Sequence, residues 1–266
     1  VTKLLRLQRR RFLILCVGII LAFAFSASAE PGTFAKPGAG RVRANVLFIG
    51  NSYTFKLAEL FPKLAAAAGK KGRFESVTEG GLQLRAHLER GEAAKRIASA
   101  HWDFVVLQEQ SQTPGFSEAQ VKAVMDPAVA EFRRLCSAAG ATPVLFCHWA
   151  KTDGDRQNYP NDTYEASRAR LNATFARIGR EQSIALAPVG ESWDAVRRQH
   201  PDIALHAPDG SHPSLAGAYL TTCIFFTGVF GESPALLPAV PGIDDKTAAI
   251  LRKASATAGR NFAPNP

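Results

Sequence analysis

A serine, a histidine and an aspartate stand out in this chain because of where they fall. Ser52 lies in "NVLFIGNSYTF", residues 45 to 55, where an apolar run passes through Gly50 into a small polar pair and a helical pattern begins at once. Asp209 and His212 lie three residues apart in "DGSHP". A serine hydroxyl is a weak nucleophile until a base takes its proton, and that base needs a third group to hold its ring in the right tautomer. In a turn of this length the Asp209 carboxylate can accept from one ring nitrogen of His212 and leave the other facing Ser52. Each part also has a plainer reading. Ser52 is placed as a helix N-cap would be, and "DGSHP" is composed as a solvated turn would be. A phosphate-binding loop is excluded here, because "GNSYTF" has neither the extra glycines nor the Gly-Lys-Ser/Thr ending.

Chemistry between residues so far apart requires a fold that brings them to one edge. From residue 44 onward, short apolar runs alternate with longer helical patterns, the signature of a parallel sheet with crossover helices. Strands are predicted at "ANVLFIG", "FESVTE", "DFVVLQE", "PVLFCHW" and "IALAPV". Helices are predicted over about 55 to 68, within "GGLQLRAHLERGEAAKRIAS", and over about 117 to 139, 163 to 182, 192 to 199, 214 to 230 and 244 to 258. The expected fold is a three-layer α/β/α sandwich around a flavodoxin-like parallel sheet of about five strands. In such open sheets, ligands lie outside the carboxyl ends of the strands. That rule places Asn51-Ser52 after the first strand, Gly80-Gly81 after the second, Glu109-Gln110-Ser111 after the third and His148-Trp149 at the end of the fourth. The loop "LHAPDGSHPS" follows the fifth, so all the polar candidates fall on one edge.

The remainder of the chain narrows the function classes. Residues 1 to 29 carry a basic head, an apolar run from Phe12 to Phe25 and the small residues Ala27-Ser28-Ala29, which predicts a secretory signal peptide cut after Ala29. The apolar run is short for a membrane span. The expected product is exported, periplasmic or secreted, with no stable membrane partner after signal cleavage. Residues 30 to 43, rich in Pro, Gly and Ala, read as a flexible leader, 44 to 260 as one domain, and 261 to 266 as a loose tail. Setting 29 of 266 residues aside leaves 237, enough for a single large domain. The formal charge of +9 shrinks with them: five of the 32 Lys/Arg go with the signal and none of the 23 acids does, leaving 27 against 23, or about +4. So mild and scattered an excess gives no support for nucleic-acid binding. Outside the signal, Cys136, Cys147 and Cys223 lack the paired spacing of a zinc site, and the apolar surroundings of Cys147 and Cys223 mark them as packed core. His87, His101, His200 and His206 show no ligand spacing, so no metal is expected.

"FIGNSYT", "EGG", "VVLQEQS" and "DGSHPSLAGAYL", in that order and spacing, resemble the sequence blocks of the SGNH (GDSL-like) hydrolases over roughly residues 44 to 230. The combination is similar to a branch in which Gly-Asn-Ser and Leu-Gln-x-Gln-Ser occur together. Gly50-Asn51-Ser52 stands where the family usually shows Gly-Asp-Ser, and Asp209-x-x-His212-Pro213 matches its Asp-x-x-His block. The resemblance implies that Ser52 is the nucleophile, His212 the general base and Asp209 its orienter. It also implies an oxyanion hole built from the N–H of Ser52, the N–H of Gly81 (with Gly80 as fallback) and an Asn side chain from the third block. Gln110 occupies that last position, its amide one methylene further out, and Gln108 could point the same way along an extended strand. Glu109 either orients Gln110 or is a solvated loop acid. His148 and Trp149 either bind substrate, the aromatic stacking on a sugar or lining an acyl pocket, or form a partly buried strand end. The implied activity is hydrolysis of a small-molecule or glycan acyl ester through an acyl-enzyme, with no cofactor. An O-acetyltransferase using the same serine and a catalytically inactive carbohydrate-binding scaffold are the alternatives.

Overall fold

A computed structural model describes residues 40 to 258. The expected signal segment, most of the leader and the tail after residue 260 lie outside the described residues. Five strands form one parallel sheet: β1 (Val46–Gly50), β2 (Phe74–Thr78), β3 (Phe104–Leu107), β4 (Thr142–Phe146) and β5 (Ala185–Ala187). Their spatial order is β2-β1-β3-β4-β5. Val46 stands opposite Phe74 on one side and Phe104 on the other, which sets the register at the centre of the sheet. The connections between strands are helical: α1 (Ser52–Ala67), α2 (Leu84–Arg90), α3 (Glu92–Ala98), α4 (Glu118–Ala138) and α5 (Tyr164–Glu181). After β5 come α6 (Val189–Gln199), α7 (Leu215–Phe230) and α8 (Asp245–Ala258).

Every residue of β1 and β3 is buried, as expected of strands covered on both faces. Because side chains alternate along a strand, Val46 and Phe48 join the core shared with α1, α6, α7 and α8. Leu47 and Ile49 join the opposite core with α2, α3, α4 and α5. The result is the three-layer α/β/α sandwich that the alternating pattern predicts. The strand order reverses direction between β1 and β3, and a ligand crevice opens at such a switch point. Ser52 follows one of these two strands and Gln110 the other.

Three local features differ from the sequence expectation. Helix α1 begins at Ser52 instead of near Phe55, because the Asn51 side chain accepts from Tyr53 N–H and caps it there. Helix α6 begins at Val189 instead of near Ser192, with Pro188 alone separating it from β5. Arg41 to Arg43, which composition groups with the leader, are held to the fold. Arg41 N–H donates to the Phe230 carbonyl, the Arg41 side chain pairs with Asp103, and Arg43 bridges to Lys71. Cys136, Cys147 and Cys223 are buried free thiols, and burial raises the pKa of each, so none is poised as a nucleophile.

Helix α7 is buried from Gly217 to Phe230 on every side, the pattern of a core helix. Its first turn lies against the segment leading to "DGSHP". A Cβ at Gly217 would press on the Leu205 carbonyl oxygen and sit 2.7 Å from the Trp193 ring. Alanine gains roughly 1 kcal/mol over glycine in helix propensity. Overpacking against a backbone carbonyl and a fully buried indole costs roughly 1–3 kcal/mol or more, and nothing at this contact can move cheaply. Gly217→Ala is therefore expected to lower stability by about 1–2 kcal/mol in urea unfolding. A variant as stable as wild type or more so would show that helix propensity wins and that α7 is not in fixed contact with Leu205.

Candidate active site

Asn51 is the only residue between the end of β1 and the start of α1, and it takes the capping role that composition alone offered to Ser52. The Ser52 hydroxyl is thereby released for another partner. Its Oγ lies 2.8 Å from Nε2 of His212, a residue 160 positions further along the chain. Nδ1 of the same ring is 2.5 Å from Oδ2 of Asp209. The other carboxylate oxygen of Asp209 accepts from the backbone N–H groups of Ser211 and His212, each at 2.9 Å. One short turn thus fixes the carboxylate and the ring together. Gly210 in this turn has φ of 67°, a conformation natural to glycine.

The ring is aimed by aromatic packing behind it. Tyr53 stacks on Trp149 at a centroid distance of 4.7 Å, and Trp149 stacks on Trp193 at 3.8 Å. Trp149 Nε1–H donates to the Ser211 carbonyl at 2.9 Å, while the Tyr53 hydroxyl and Ser211 Oγ are 2.8 Å apart. The His212 ring meets Tyr53 edge-on at 5.6 Å. Tyr53 was not singled out by sequence reasoning, although its place directly after Ser52 was a usable signal.

On the other side of Ser52, three loops are stitched together by side-chain amides and one carboxylate. Gln108 Oε1 accepts from Asn51 N–H at 2.8 Å and from Thr54 Oγ1 at 3.0 Å, and its amide nitrogen donates to the Glu109 carbonyl. Asn51 Nδ2 donates to the Leu82 carbonyl at 3.0 Å, which ties down the turn Glu79–Leu82. Gly81 sits in that turn at φ of 71°, exposed, with open space where a side chain would be. Gln110 Oε1 accepts from Gln112 N–H at 2.8 Å and Thr113 N–H at 3.2 Å, so its amide group is held by its oxygen. Its nitrogen has a long 3.4 Å contact to Gln112 Oε1. A hydroxyl bonded to an imidazole, a carboxylate on the other ring nitrogen and helix-start N–H groups on one edge are an arrangement that can perform acyl transfer.

Comparison with known proteins bears on the fold and the class of enzyme. No family model matches the sequence, and no curated protein matches it. Among solved structures, a protein from Slackia heliotrinireducens assigned to the SGNH hydrolases is 28% identical, with a TM-score of 0.56 over 68% of this chain and 95% of that one. This likeness supports placing the chain with the SGNH (GDSL-like) hydrolases. A DUF4886 family protein from Bacteroides uniformis superposes with a TM-score of 0.68 at 20% identity, over 81% of this chain and 94% of that one. An acetylxylan esterase from Geobacillus stearothermophilus shares the fold at 14% identity and a TM-score of 0.52, over 77% of this chain and all of that one.

Two expectations about this SGNH-type hydrolase are corrected by burial. Trp149 and His148 are 1% and 0% exposed, so neither can stack on a sugar or line a substrate pocket. Trp149 is enclosed by the aromatic stack. His148 donates through Nδ1 to the Trp149 carbonyl at 2.9 Å, and burial lowers its pKa to about 4, leaving the ring neutral. Gln108 is also fully buried, its amide oxygen joining the end of β1 to the end of β3 and its nitrogen bonded to the Glu109 carbonyl, and it does not face a ligand. His87 and His206 serve as backbone ties, to the carbonyls of Gly50 and Ala150. The site is open: the side chains of His212 and Asp209 are 44% and 50% exposed. A cavity of about 360 Å³ lined by Thr152, Arg197, His206 and Gly210 lies beside the Asp209 turn, but none of Ser52, Asp209 or His212 lines it.

Electrostatically the hydrolase site holds two opposite carboxyl groups. The hydrogen bond to His212, with the N–H groups of Ser211 and His212, holds Asp209 down at about 2. Its charge is present above the unfolded carboxyl pKa and is lost only as pH falls through about 2. Glu109 is fully buried, and burial raises its pKa to about 7 against the lowering effect of N–H groups from Gln110 and Leu84. Here the sign reverses. The unfolded carboxyl releases its proton near 4.5, so from there to about 7 the folded state binds more protons and stability falls as pH rises. The gap corresponds to roughly 3 kcal/mol. Glu109→Gln, which cannot ionise, is expected to be more stable than wild type by about 2–3 kcal/mol at pH 8, with the two converging below pH 4 in urea unfolding. Stability curves that run parallel across that range would refute a buried carboxyl at this position.

Proposed function

We propose that the protein is an exported serine esterase that removes a small acyl group, such as acetyl, from a carbohydrate through a Ser-His-Asp triad and an acyl-enzyme. The observation that carries this reading is the continuous relay from Ser52 Oγ to His212 Nε2 and from His212 Nδ1 to Asp209, at 2.8 Å and 2.5 Å. Ser52 Oγ attacks the acyl carbonyl carbon as His212 takes its proton. Asp209 holds the ring in the required tautomer and stabilises the imidazolium. Collapse of the tetrahedral intermediate breaks the bond to the alcohol oxygen, which His212 protonates. Water, activated by the same ring, then releases the carboxylic acid and regenerates Ser52.

The oxyanion would be received by the N–H groups of Ser52 and Gly81 and by the Gln110 amide. The Ser52 N–H belongs to the first turn of α1, where no carbonyl one turn back can claim it and the helix dipole favours negative charge. Gln110 is one methylene longer than the family Asn, and anchoring of its oxygen by Gln112 and Thr113 offsets the added freedom. The substrate class is supported by the openness of the triad, which admits a bulky alcohol carrying a small acyl group, and by the shared fold with an acetylxylan esterase. Export is supported by the order of residues 1 to 29.

Turnover of p-nitrophenyl acetate is the direct test. Ser52→Ala is expected to lose at least about 10³-fold in kcat, and equal turnover in both forms rejects the reading. Addition of a sugar acceptor separates hydrolysis from transfer, since a transferase gives acylated sugar in place of free acid. A folded protein without turnover on any acetylated glycan or activated ester returns the reading to a binding scaffold. Gln110→Ala is expected to lose on the order of 10²- to 10³-fold in kcat if its amide meets the oxyanion. A loss below about threefold removes it from that role.

A further inference from the structure

We infer that Glu109 is a positioning residue whose buried carboxyl clamps the two loops carrying the outer oxyanion donors, an inference that rests on the esterase reading of the same site. Its Oε1 accepts from Gln110 N–H at 2.6 Å and from Leu84 N–H at 3.3 Å. Leu84 opens α2 two residues after the turn that presents Gly81, and it is a helix-start donor without a side-chain cap of its own. A single oxygen therefore joins the loop after β3 to the loop after β2.

The clamp is one link in a closed ring. Gln83, beside Leu84, donates through Nε2 to Thr113 Oγ1 at 3.1 Å. Thr113 Oγ1 in turn donates to Gln110 Oε1 at 3.3 Å, and the Gln110 N–H returns to Glu109. The Gln110 backbone is thus fixed from one side by the carboxyl, and its amide oxygen from the other by Thr113. The orientation of the amide nitrogen follows from these two constraints. On the far side, Asn51 holds the Leu82 carbonyl and so references the same turn to Ser52.

A purely structural role explains this residue poorly. Glu109 Oε2 is buried and has no hydrogen-bond partner among the described residues. Burying a carboxyl with an unpaired oxygen is costly, and an apolar side chain would avoid it. What an apolar side chain cannot do is accept from both N–H groups at once. Donors must be held within a few tenths of an ångström of the developing charge, and displacement by about 1 Å costs on the order of 10²-fold in rate.

The experiment compares wild type, Glu109→Ala, Glu109→Gln, Gln83→Met and Ser52→Ala on p-nitrophenyl acetate, with thermal unfolding of each. Glu109→Ala is expected to lower kcat by about 10- to 100-fold while KM changes less than about threefold. Glu109→Gln, whose amide oxygen can accept from the same two N–H groups, is expected to return kcat to within about threefold of wild type. Gln83→Met cuts the ring at its outer edge and is expected to lower kcat about three- to tenfold with an unchanged melting temperature. A folded Glu109→Ala with wild-type kcat overturns the clamp, as does a Glu109→Gln as impaired as the alanine variant. Should Glu109→Ala fail to fold, an unaltered kcat in Gln83→Met overturns it instead. Turnover that survives in Ser52→Ala would defeat the esterase reading and the clamp with it, whereas a dead Ser52→Ala beside an active Glu109→Ala defeats the clamp alone.

Discussion

The stack of Tyr53 on Trp149 on Trp193 is the constraint on which the site depends. Ser52 and His212 come from opposite ends of the described chain, and no backbone ladder joins the loop of His212 to the end of β1. The loop is instead fastened to the stack, through Trp149 Nε1–H to the Ser211 carbonyl and the Tyr53 hydroxyl to Ser211 Oγ. Tyr53 is the residue after Ser52, so the same helix turn that presents the hydroxyl also anchors the loop bearing His212. Trp149 and Trp193 are both fully enclosed, and enclosed aromatic pairs contribute roughly 0.5–1.5 kcal/mol beyond the area they bury. The stack is rigid because nothing around it can yield, and it transmits that rigidity to a 2.8 Å contact.

The departure from Gly-Asp-Ser to Gly-Asn-Ser has a chemical consequence at the neighbouring position. Asn51 uses its oxygen to cap α1 and its nitrogen to hold the Leu82 carbonyl. An aspartate in its place could accept the first bond but could not donate the second. The turn bearing Gly81 is therefore referenced to the start of α1 by a bond that the more usual residue cannot make. Gln108 adds to this by taking the Asn51 N–H and the Thr54 hydroxyl on one oxygen. The close approach leaves no room for a side chain at Gly50, where a Cβ would lie 2.6 Å from that oxygen.

Much of the fold was legible because buried parallel strands and amphipathic helices write their periods directly into the sequence. The switch between β1 and β3 follows from that order, and with it the edge on which Ser52 falls. Asp209 and His212 were legible because their relation is local, set by three residues of turn. The illegible residues are those whose role depends on distant packing. At the end of β4, His148 and Trp149 look like an exposed aromatic edge until Tyr53 and Trp193 close over the indole. Gln108 and Gln110, two residues apart, look equivalent from composition. Only the first is drawn inward, by the Asn51 N–H and the Thr54 hydroxyl. Glu109 had two readings, and its 0% exposure removes the solvated one.

The unsatisfied buried atoms show where the fold bears its costs. Among the described residues they include Glu109 Oε2, His148 Nε2 and Arg168 Nη2. Glu109 and His148 follow β3 and β4 at the carboxyl edge, and Arg168 donates to the His148 carbonyl at 3.2 Å while pairing with Asp194 at 2.9 Å. Each such atom costs roughly 1–3 kcal/mol, a large fraction of the net stability of a domain. Apolar replacement would remove those costs. It would also remove the acceptor for Leu84 and Gln110, the ring that packs edge-on to Tyr53 at 5.5 Å, and the donor that fixes the strand end beneath Trp149. At the opposite end of β1 and β3 the polar groups among the described residues are partnered, Asp103 with Arg41 and the Asn45 N–H, and the two dry faces between supply the burial that compensates. Local rules are broken where loops must be held at fixed distances from one hydroxyl, and kept where only packing matters.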